Sequence, residues 1–474
     1  MFAFFFINLI NISLIIFMVF VEHKRLHRVA IWLLIFSLLP IVGFLLYLIF
    51  GIGLPFRRKK ERMIFDDSLI RKRLILENRN NISTKFSEII AFNLLNNNSL
   101  CLKNEEINIF TSGNEFFCDL EKEIKKAKRN IYIFSYIIKD DIIGEKLFNL
   151  LIEKRKENLE IIILYDAFGS RSLHQKFKRK CQEVGIKLFG FFPTFLKIPL
   201  LQTKINYRNH RKIFIIDNEI SYIGGINFRK DHFNYDKKLF PWKDTQIKIK
   251  GETTLEILNT FLSDLKLCDK NYVGEVFPIK NDYKGSIFAQ LLNSSPLNRS
   301  EKFEESLIKA INFSKKEIII ESPYFIVDDK MFESIKQALY RNVEVKIYIP
   351  QKIDRKSVHF ASLFHCKKLL EIGAKVFMYQ GFLHSKCVII DKEMFIVGSA
   401  NFDMRSFYLN FESSVIIFDK SLSLKYLKEI EINKYVELKI NDYKKMPVIK
   451  KLALSLSQLF SPIMWLLFVF RGFL

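Results

Sequence analysis

Cysteine is sparse and unpaired in this sequence: Cys101, Cys118, Cys181, Cys268, Cys366 and Cys387 are scattered, with no C-x-x-C among them. That spacing offers no zinc or dithiol framework, and reduced thiols suit a body kept in the cytosol. Glycine (17) and proline (11) are few in 474 residues, and hydrophobic residues make up 49%. A low-complexity chain is thereby excluded, and the length suffices for two or three domains with sizeable cores. Acidic residues are in deficit, 51 against 74 Lys and Arg, for a net charge of +23. Such a balance favours polyanionic company: nucleic acid, anionic lipid or a phosphate-bearing substrate. An AT-rich coding sequence would inflate Lys together with Phe, Ile and Asn, so the charge decides nothing alone. No cluster of carboxylates offers a metal site; neither a metal nor a cofactor is expected.

Charge is missing altogether from two long stretches. Met1–Val21 carries no charged side chain, and after the short polar EHKRLHR the run Val29–Phe56 is again uncharged. Each exceeds the roughly 20 residues that cross a bilayer core. A signal peptide would need a basic start and a small-x-small cleavage site, which the first run lacks. Two transmembrane helices with a short loop are therefore expected over 1–56. Arg57–Arg62 (RRKKER) carries more positive charge than the loop with Lys24, Arg25 and Arg28. By the positive-inside tendency this places the body on the cytoplasmic side of the cell membrane. At the other end Leu452–Phe470 is uncharged but speckled with serines; a third span is possible in principle, and an interfacial membrane-associated segment is the better reading.

Between these ends the chain repeats itself. NIYIFSYIIKDD (Asn130–Asp141) answers to EIIIESPYFIVDD (Glu317–Asp329), LEIIILYD to VEVKIYIP, and GIKLF at Gly185 to GAKVF at Gly373. Apolar β-branched runs alternate with helix-like stretches, the pattern of α/β units around a mostly parallel sheet, whose chemistry gathers beyond the strand ends. The two glycines are 188 residues apart but the histidines that follow only 174, so the first copy holds 14 extra residues within GFFPTFLKIPLLQTKINYRN. This apolar insertion is read either as additional core or as a loop that touches lipid through Phe191, Phe192, Phe195 and Leu196.

The most specific repeat is NHRKIFIIDNEISYIGGINF against LHSKCVIIDKEMFIVGSANF. Of eight histidines in the chain, His210 and His384 alone recur in a shared frame, each with a lysine two residues on (Lys212, Lys386), an aspartate at seven (Asp217, Asp391) and a Gly-x-x-Asn ending in Asn227 or Asn401. Two residues apart on a strand, His and Lys point to one face. Facing the copies about a pseudo-twofold axis would gather two imidazoles, two ammonium groups and two amides in one pocket. That inventory suits a phosphodiester: cations and amides hold the oxygens, one imidazole attacks phosphorus, the other moves the proton. Asp217 and Asp391 complete the site signature but fall on the opposite face at the strand end, as scaffold. Asp244 in PWKDT and Glu412 in LNFESS are the carboxylates placed to orient the imidazoles, although Asp244 also reads as ordinary surface charge. The remaining histidines, His232 among them, have no repeated context.

These residues resemble the phospholipase D superfamily, whose signature is H-x-K-x₄-D twice per active site. YRNHRKI, YIGGIN, LYDAFGS, SPYFIV, GFLHSK and VGSANFDMRSFYLNFE are similar to the cardiolipin synthase branch, as is the apolar N-terminal region. The resemblance implies an α/β fold of two tandem phospholipase D-like domains related by pseudo-twofold symmetry, here over 106–275 and 276–445. A basic linker over 57–105 would precede them and an apolar tail over 446–474 would follow. It implies a phosphatidyltransferase that makes cardiolipin and glycerol from two phosphatidylglycerols through a phosphohistidine. His210 would be the nucleophile and His384 the acid/base, an order that the residues themselves leave exchangeable; Lys212, Lys386, Asn227 and Asn401 would bind phosphate. Phosphatidylglycerol and anionic membrane lipids are the expected partners. A phospholipid hydrolase is the alternative, and a nuclease is disfavoured by the apolar N-terminal pair. Gln246, Asn218 and Val327 depart from frequent family residues without touching the His and Lys pairs.

Overall fold

The computed structural model describes residues 11–16, 18–19, 32–33, 35–37, 39, 43, 47, 85–192, 207–269, 271–272, 285–296 and 302–457. The described residues from 85 onward form one compact unit, and those of 11–47 belong to a second.

Within the larger unit a 16-stranded sheet runs through both copies of the repeat. Each copy opens with a parallel trio: Asn130–Ser135, Glu160–Asp166 and Lys187–Phe191 in the first, Glu317–Glu321, Glu344–Pro350 and Lys375–Tyr379 in the second. Sequences such as EIIILYD, buried along nearly their whole length, are what a strand covered on both faces requires. An antiparallel hairpin follows in each copy, Lys212–Ile216 with Ile220–Gly224 and Cys387–Ile390 with Met394–Gly398. It leads inward to Gln246–Gly251 and Asn410–Phe418. The halves join at the centre, where Cys101–Phe110 pairs antiparallel with Ile287–Ser294.

Helices cover the faces and start where the sequence supplies a cap. The side chains of Ser112, Asp141 and Asp328 accept from backbone N–H groups at the starts of Gly113–Lys126, Ile142–Lys156 and Asp329–Tyr340, satisfying donors that the helix itself leaves free. One core cluster draws on both halves, with Ile257, Phe261 and Leu265 beside Leu383, Phe411 and Tyr426. All six cysteines are unpaired.

Two expectations are refined. The stretch read as a linker over 57–105 contains the helix Ser87–Asn97 and the start of the strand Cys101–Phe110. Phe86, Ile89 and Ile90 pack into the core of the second half. Phe191 and Phe192 are not a lipid-facing tip: Phe191 ends its strand fully buried, and both rings pack against Phe411. The strand runs on because Phe191 finds a parallel partner in Asp166; Phe195 and Leu196 lie outside the described residues.

Among the described residues no helix is long and apolar enough to cross a membrane. The two spans expected over 1–56 lie mostly outside them, as do RRKKER and the tail beyond 457. The described parts of 11–19 and 32–47 are helical apart from Leu39; Met18, Trp32, Phe36 and Tyr47 pack together, and Asn11 Nδ2 donates to the Phe36 carbonyl at 3.4 Å.

Candidate active site

Both histidines follow a two-residue strand, and in each case that strand is paired with the other half of the molecule. Arg208–Asn209 lies parallel to the start of Asn410–Phe418, and Phe382–Leu383 lies parallel to Trp242–Lys243. The His210 N–H donates to the Phe411 carbonyl at 2.8 Å and the His384 N–H to that of Lys243 at 2.7 Å. The next residue after each acceptor is a carboxylate. Each imidazole therefore meets the acid of the opposite half: His384 Nδ1 lies 2.6 Å from Asp244 Oδ2, and His210 Nδ1 lies 3.2 Å from Glu412 Oε2. A carboxylate on Nδ1 fixes the proton there and leaves the Nε2 lone pair for chemistry.

Local sequence makes room for this crossing. A Cβ on Gly225 would stand 2.0 Å from Asp244 Oδ1, which accounts for the second glycine of the Gly-Gly pair. In the second copy the equivalent position is Ser399, whose hydroxyl donates to Glu412 Oε2 at 2.5 Å. Lys212 and Lys386 curl back to donate to the carbonyls of His210 and His384. Asn227 Oδ1 accepts from Ile137 N at 3.3 Å, and Asn401 Nδ2 donates to Asp403 at 3.2 Å.

Asp217 and Asp391 lie elsewhere. Asp217 accepts from the backbone of Lys128, Arg129 and Asn130, and Asp391 from Lys315, Lys316 and Glu317. Both tie the far end of the histidine hairpin to the start of a parallel strand, away from the imidazoles. Their place matches the scaffold role read from their face, and they take no part in proton handling.

The family model described as "Cardiolipin synthase, PLD-like domain" matches this chain twice, over 120–247 and 307–433. A cardiolipin synthase of Clostridium perfringens is 35% identical over 462 residues, covering 94% of this chain and 96% of the relative. The major cardiolipin synthase of Bacillus subtilis is 33% identical over 477 residues, covering 96% and 98%. The chain belongs to the phospholipase D-like cardiolipin synthase family. Among solved structures, phosphatidylserine synthase of Haemophilus influenzae shares the fold, with a TM-score of 0.61 at 14% identity over 83% of this chain and 98% of that one.

In this family member the charges of the two halves act on one another. Burial, together with Lys386, lowers the pKa of Lys212 to about 7, against the pull of Glu412. Burial brings Lys386 to about 8, against Asp244 and Glu412. Burial also lowers both imidazoles, so each rests neutral. The acids go the other way: burial opposes ionisation, yet His384 and Lys386 hold Asp244 charged, and His210 and Lys212 do so for Glu412. Two ammonium groups in one site suit an anionic phosphodiester only while both stay protonated. On the free enzyme kcat/KM is expected to fall as pH rises through the lysine pair, between about 7 and 8, two values that belong to the coupled pair. A pH series checks this; a profile flat up to the ordinary lysine range near pH 10 would contradict it.

His232, which sequence reasoning set aside, is in this site. Its ring lies 4.9 Å from that of His384, its Nδ1 is 3.2 Å from Asp244 Oδ2, and its Nε2 is 3.3 Å from Asn227 Nδ2. The frame offset of 174 maps it onto Ser406, whose Oγ accepts from the Asn401 N–H at 3.2 Å. A histidine over a serine concealed the equivalence. Gln246 is supportive as well, accepting from the Ile226 N–H at 3.3 Å just before Asn227.

His232, Asp244 and His384 also place ligand atoms within 4.8 Å of one another. The charge of Lys386 acts on all three and opposes a cation there. Asp244 Oδ2 lies between the two imidazoles, 2.6 Å from His384 Nδ1 and 3.2 Å from His232 Nδ1, which also accepts from the Asn227 N–H at 3.3 Å. Burial, against the pull of Asp244, takes His232 to about 4, so it is neutral, and its Nδ1 accepts from the Asn227 N–H as Ser406 Oγ does from that of Asn401. His232→Ala is expected to lower kcat roughly tenfold, about the worth of one hydrogen bond to a charged group. The acid limb of the pH profile should move upward, because Asp244 loses a neighbour that favours its ionised form. Gln at 232 should restore part of both; an unmoved limb would reduce His232 to packing.

Proposed function

We propose that this protein joins two phosphatidylglycerol molecules into cardiolipin with release of glycerol. The observation that carries the reading is the crossed pairing, His210 with Glu412 and His384 with Asp244. It gives each imidazole a fixed tautomer in a site that needs both halves. Binding of the anionic donor beside His384 favours uptake of a proton from solvent at its Nε2; His210 Nε2 then attacks phosphorus, the P–O bond to the headgroup glycerol breaks, and the leaving oxygen takes that proton from His384. A phosphatidyl group is left on His210. His384, now neutral, takes the proton from a hydroxyl of the second phosphatidylglycerol, whose oxygen attacks phosphorus and displaces the imidazole. Lys212, Lys386, Asn227 and Asn401 hold the non-bridging oxygens, where charge develops. No metal or cofactor enters this sequence of steps.

The protein works, in this reading, at the cytoplasmic face of the cell membrane, anchored by a hairpin over 1–56. Support comes from the two uncharged runs and from the contacts of Met18 with Trp32, Phe36 and Tyr47. The C-terminal helix adds to it: Val448 (79%), Ile449 (80%) and Leu452 (59%) stand exposed among Lys444, Lys445, Lys450 and Lys451, a pairing suited to an anionic lipid surface.

The test is product analysis of the purified full chain in mixed micelles, with phosphatidylglycerol labelled in its headgroup. Equal amounts of cardiolipin and free glycerol are expected. Phosphatidic acid as the main product would make the protein a hydrolase and overturn the reading.

A further inference from the structure

The two histidines are docked by matching backbone contacts, yet the side chains at matching positions around them are chemically unlike. At the His210 end they are aromatic. Phe411, whose carbonyl accepts from the His210 N–H, packs on Phe191 at 5.1 Å between ring centres, and Phe191 packs on Phe134 at 6.0 Å. At the His384 end the residue whose carbonyl accepts is Lys243. Asn130 and Glu317 match through their bonds to Asp217 and Asp391, which sets Phe134 against Glu321. Two of three phenylalanines are thus replaced by an ion pair. Lys243 Nζ donates to Glu321 Oε1 at 2.8 Å, with the two side chains 3% and 0% exposed.

Glu321 is the hub of a wider network. Its Oε1 also accepts from the Tyr435 hydroxyl at 2.9 Å, its Oε2 accepts from that of Tyr426, and Lys243 Nζ donates to the Tyr435 oxygen at 3.0 Å. The Tyr426 hydroxyl lies 2.8 Å from Thr245 Oγ1, which lies 2.9 Å from Ser385 Oγ. The residues on either side of Asp244, and the one that follows His384, are therefore tied to a single carboxylate. Burial and Glu321 raise the pKa of Tyr435; burial, Cys387 and Glu321 raise that of Tyr426. Both remain phenols that donate. The fold itself does not ask for this polarity, since the first copy packs phenylalanine in the same places. A buried ion pair carries a desolvation penalty that apolar packing avoids, whereas a fully satisfied network specifies one arrangement.

We propose that Glu321 is a positioning residue of the reaction: through Lys243 on one side and Tyr426 with Thr245 on the other, it holds Asp244 of the first half on His384 of the second. The inference rests on the phosphatidyl-transfer reading above. In that cycle His210 is fixed by its own bond to phosphorus. His384 never bonds to substrate, yet its Nε2 must meet first the leaving oxygen and then the acceptor hydroxyl. Its aim depends on the 2.6 Å contact between Nδ1 and Asp244 Oδ2, and a loosened Asp244 would misdirect the ring and support its imidazolium less. Glu412, the partner of His210 at 3.2 Å, is held instead by short local bonds from Ser399 and Asn410.

The test compares two donors in single turnovers of the full chain in mixed micelles. Phosphatidylglycerol needs a proton on its leaving oxygen; phosphatidyl-p-nitrophenol does not, because the phenolate departs with its electron pair as the His210–phosphorus bond forms. Glu321→Gln keeps the shape and removes the charge. With phosphatidylglycerol the rate at saturating donor should fall roughly 10- to 100-fold, the worth of a hydrogen bond to a charged group. The alkaline limb of that rate should move to lower pH, because the His384 imidazolium loses support from Asp244 while its other neighbours, Lys386 and His232, are unchanged. With the nitrophenyl donor the rate should hold, which also certifies the fold. Equal losses on both donors in folded protein, no loss on either, or an unmoved limb overturns the proposal. Should Glu321→Gln fail to fold, Glu321→Gln combined with Lys243→Met removes the stranded ammonium and decides by the same comparison. A wild-type protein that forms no protein-bound intermediate from either donor would instead remove the phosphatidyl-transfer reading, whatever Glu321 does.

Discussion

His384→Ala is expected to retain less than about a thousandth of wild-type turnover, and His210→Ala likewise. In the proposed cycle neither imidazole has a substitute. Without His210 no covalent intermediate forms; without His384 the leaving glycerol departs as an alkoxide and the acceptor hydroxyl keeps its proton. The double variant should be scarcely worse than either single one, since groups that act as a unit do not add. Folding should survive, because the 2.8 Å and 2.7 Å hydrogen bonds that dock these strands come from the backbone N–H groups. The side chains themselves keep 13% and 10% exposure at the site. Single-turnover assays with labelled phosphatidylglycerol check this. A single variant with a tenth of normal activity would mean that the halves work independently.

The largest loss of stability is expected at a residue outside the signature. Arg211 lies between His210 and Lys212 with its side chain 1% exposed, and its Nη1 contacts both oxygens of the fully buried Asp264 at 2.6 and 2.7 Å. Asn209 Nδ2 donates to the same carboxylate at 2.8 Å, and Arg211 Nη2 donates to the Ser294 carbonyl at 3.2 Å. Asp264→Ala leaves a buried guanidinium without its counter-charge, which costs about 3–5 kcal/mol. The midpoint of urea unfolding should drop accordingly. Replacing both partners with apolar residues of similar volume, Arg211→Met with Asp264→Leu, should restore most of it, because the loss comes from the orphaned charge. A single variant as stable as the wild type would show that this pair does not hold the histidine strand in place.

Much of this was legible in the sequence, and what was hidden has a physical cause. The repeat showed because His210 to Asn227 and His384 to Asn401 run in one frame without a gap. The pairing of imidazoles with acids did not show. It depends on Trp242–Lys243 and Asn410–Phe411 docking beside the other half's histidine strand, a contact between residues more than a hundred apart. Periodicity reports the faces of a strand but not its neighbours. Phe191 and Phe192 read equally as core or as a lipid-touching loop, because greasy loop and greasy core look alike until a partner strand is known.

The most direct test of the account is a base-quenched single turnover with phosphatidylglycerol labelled in its phosphate, followed by mapping of the protein-bound label. One labelled phosphorus per chain is expected, on a histidine of the His210/His384 pair and absent from the variant that lacks it. Two groups per chain, or label on neither histidine, would contradict a single site built from both halves.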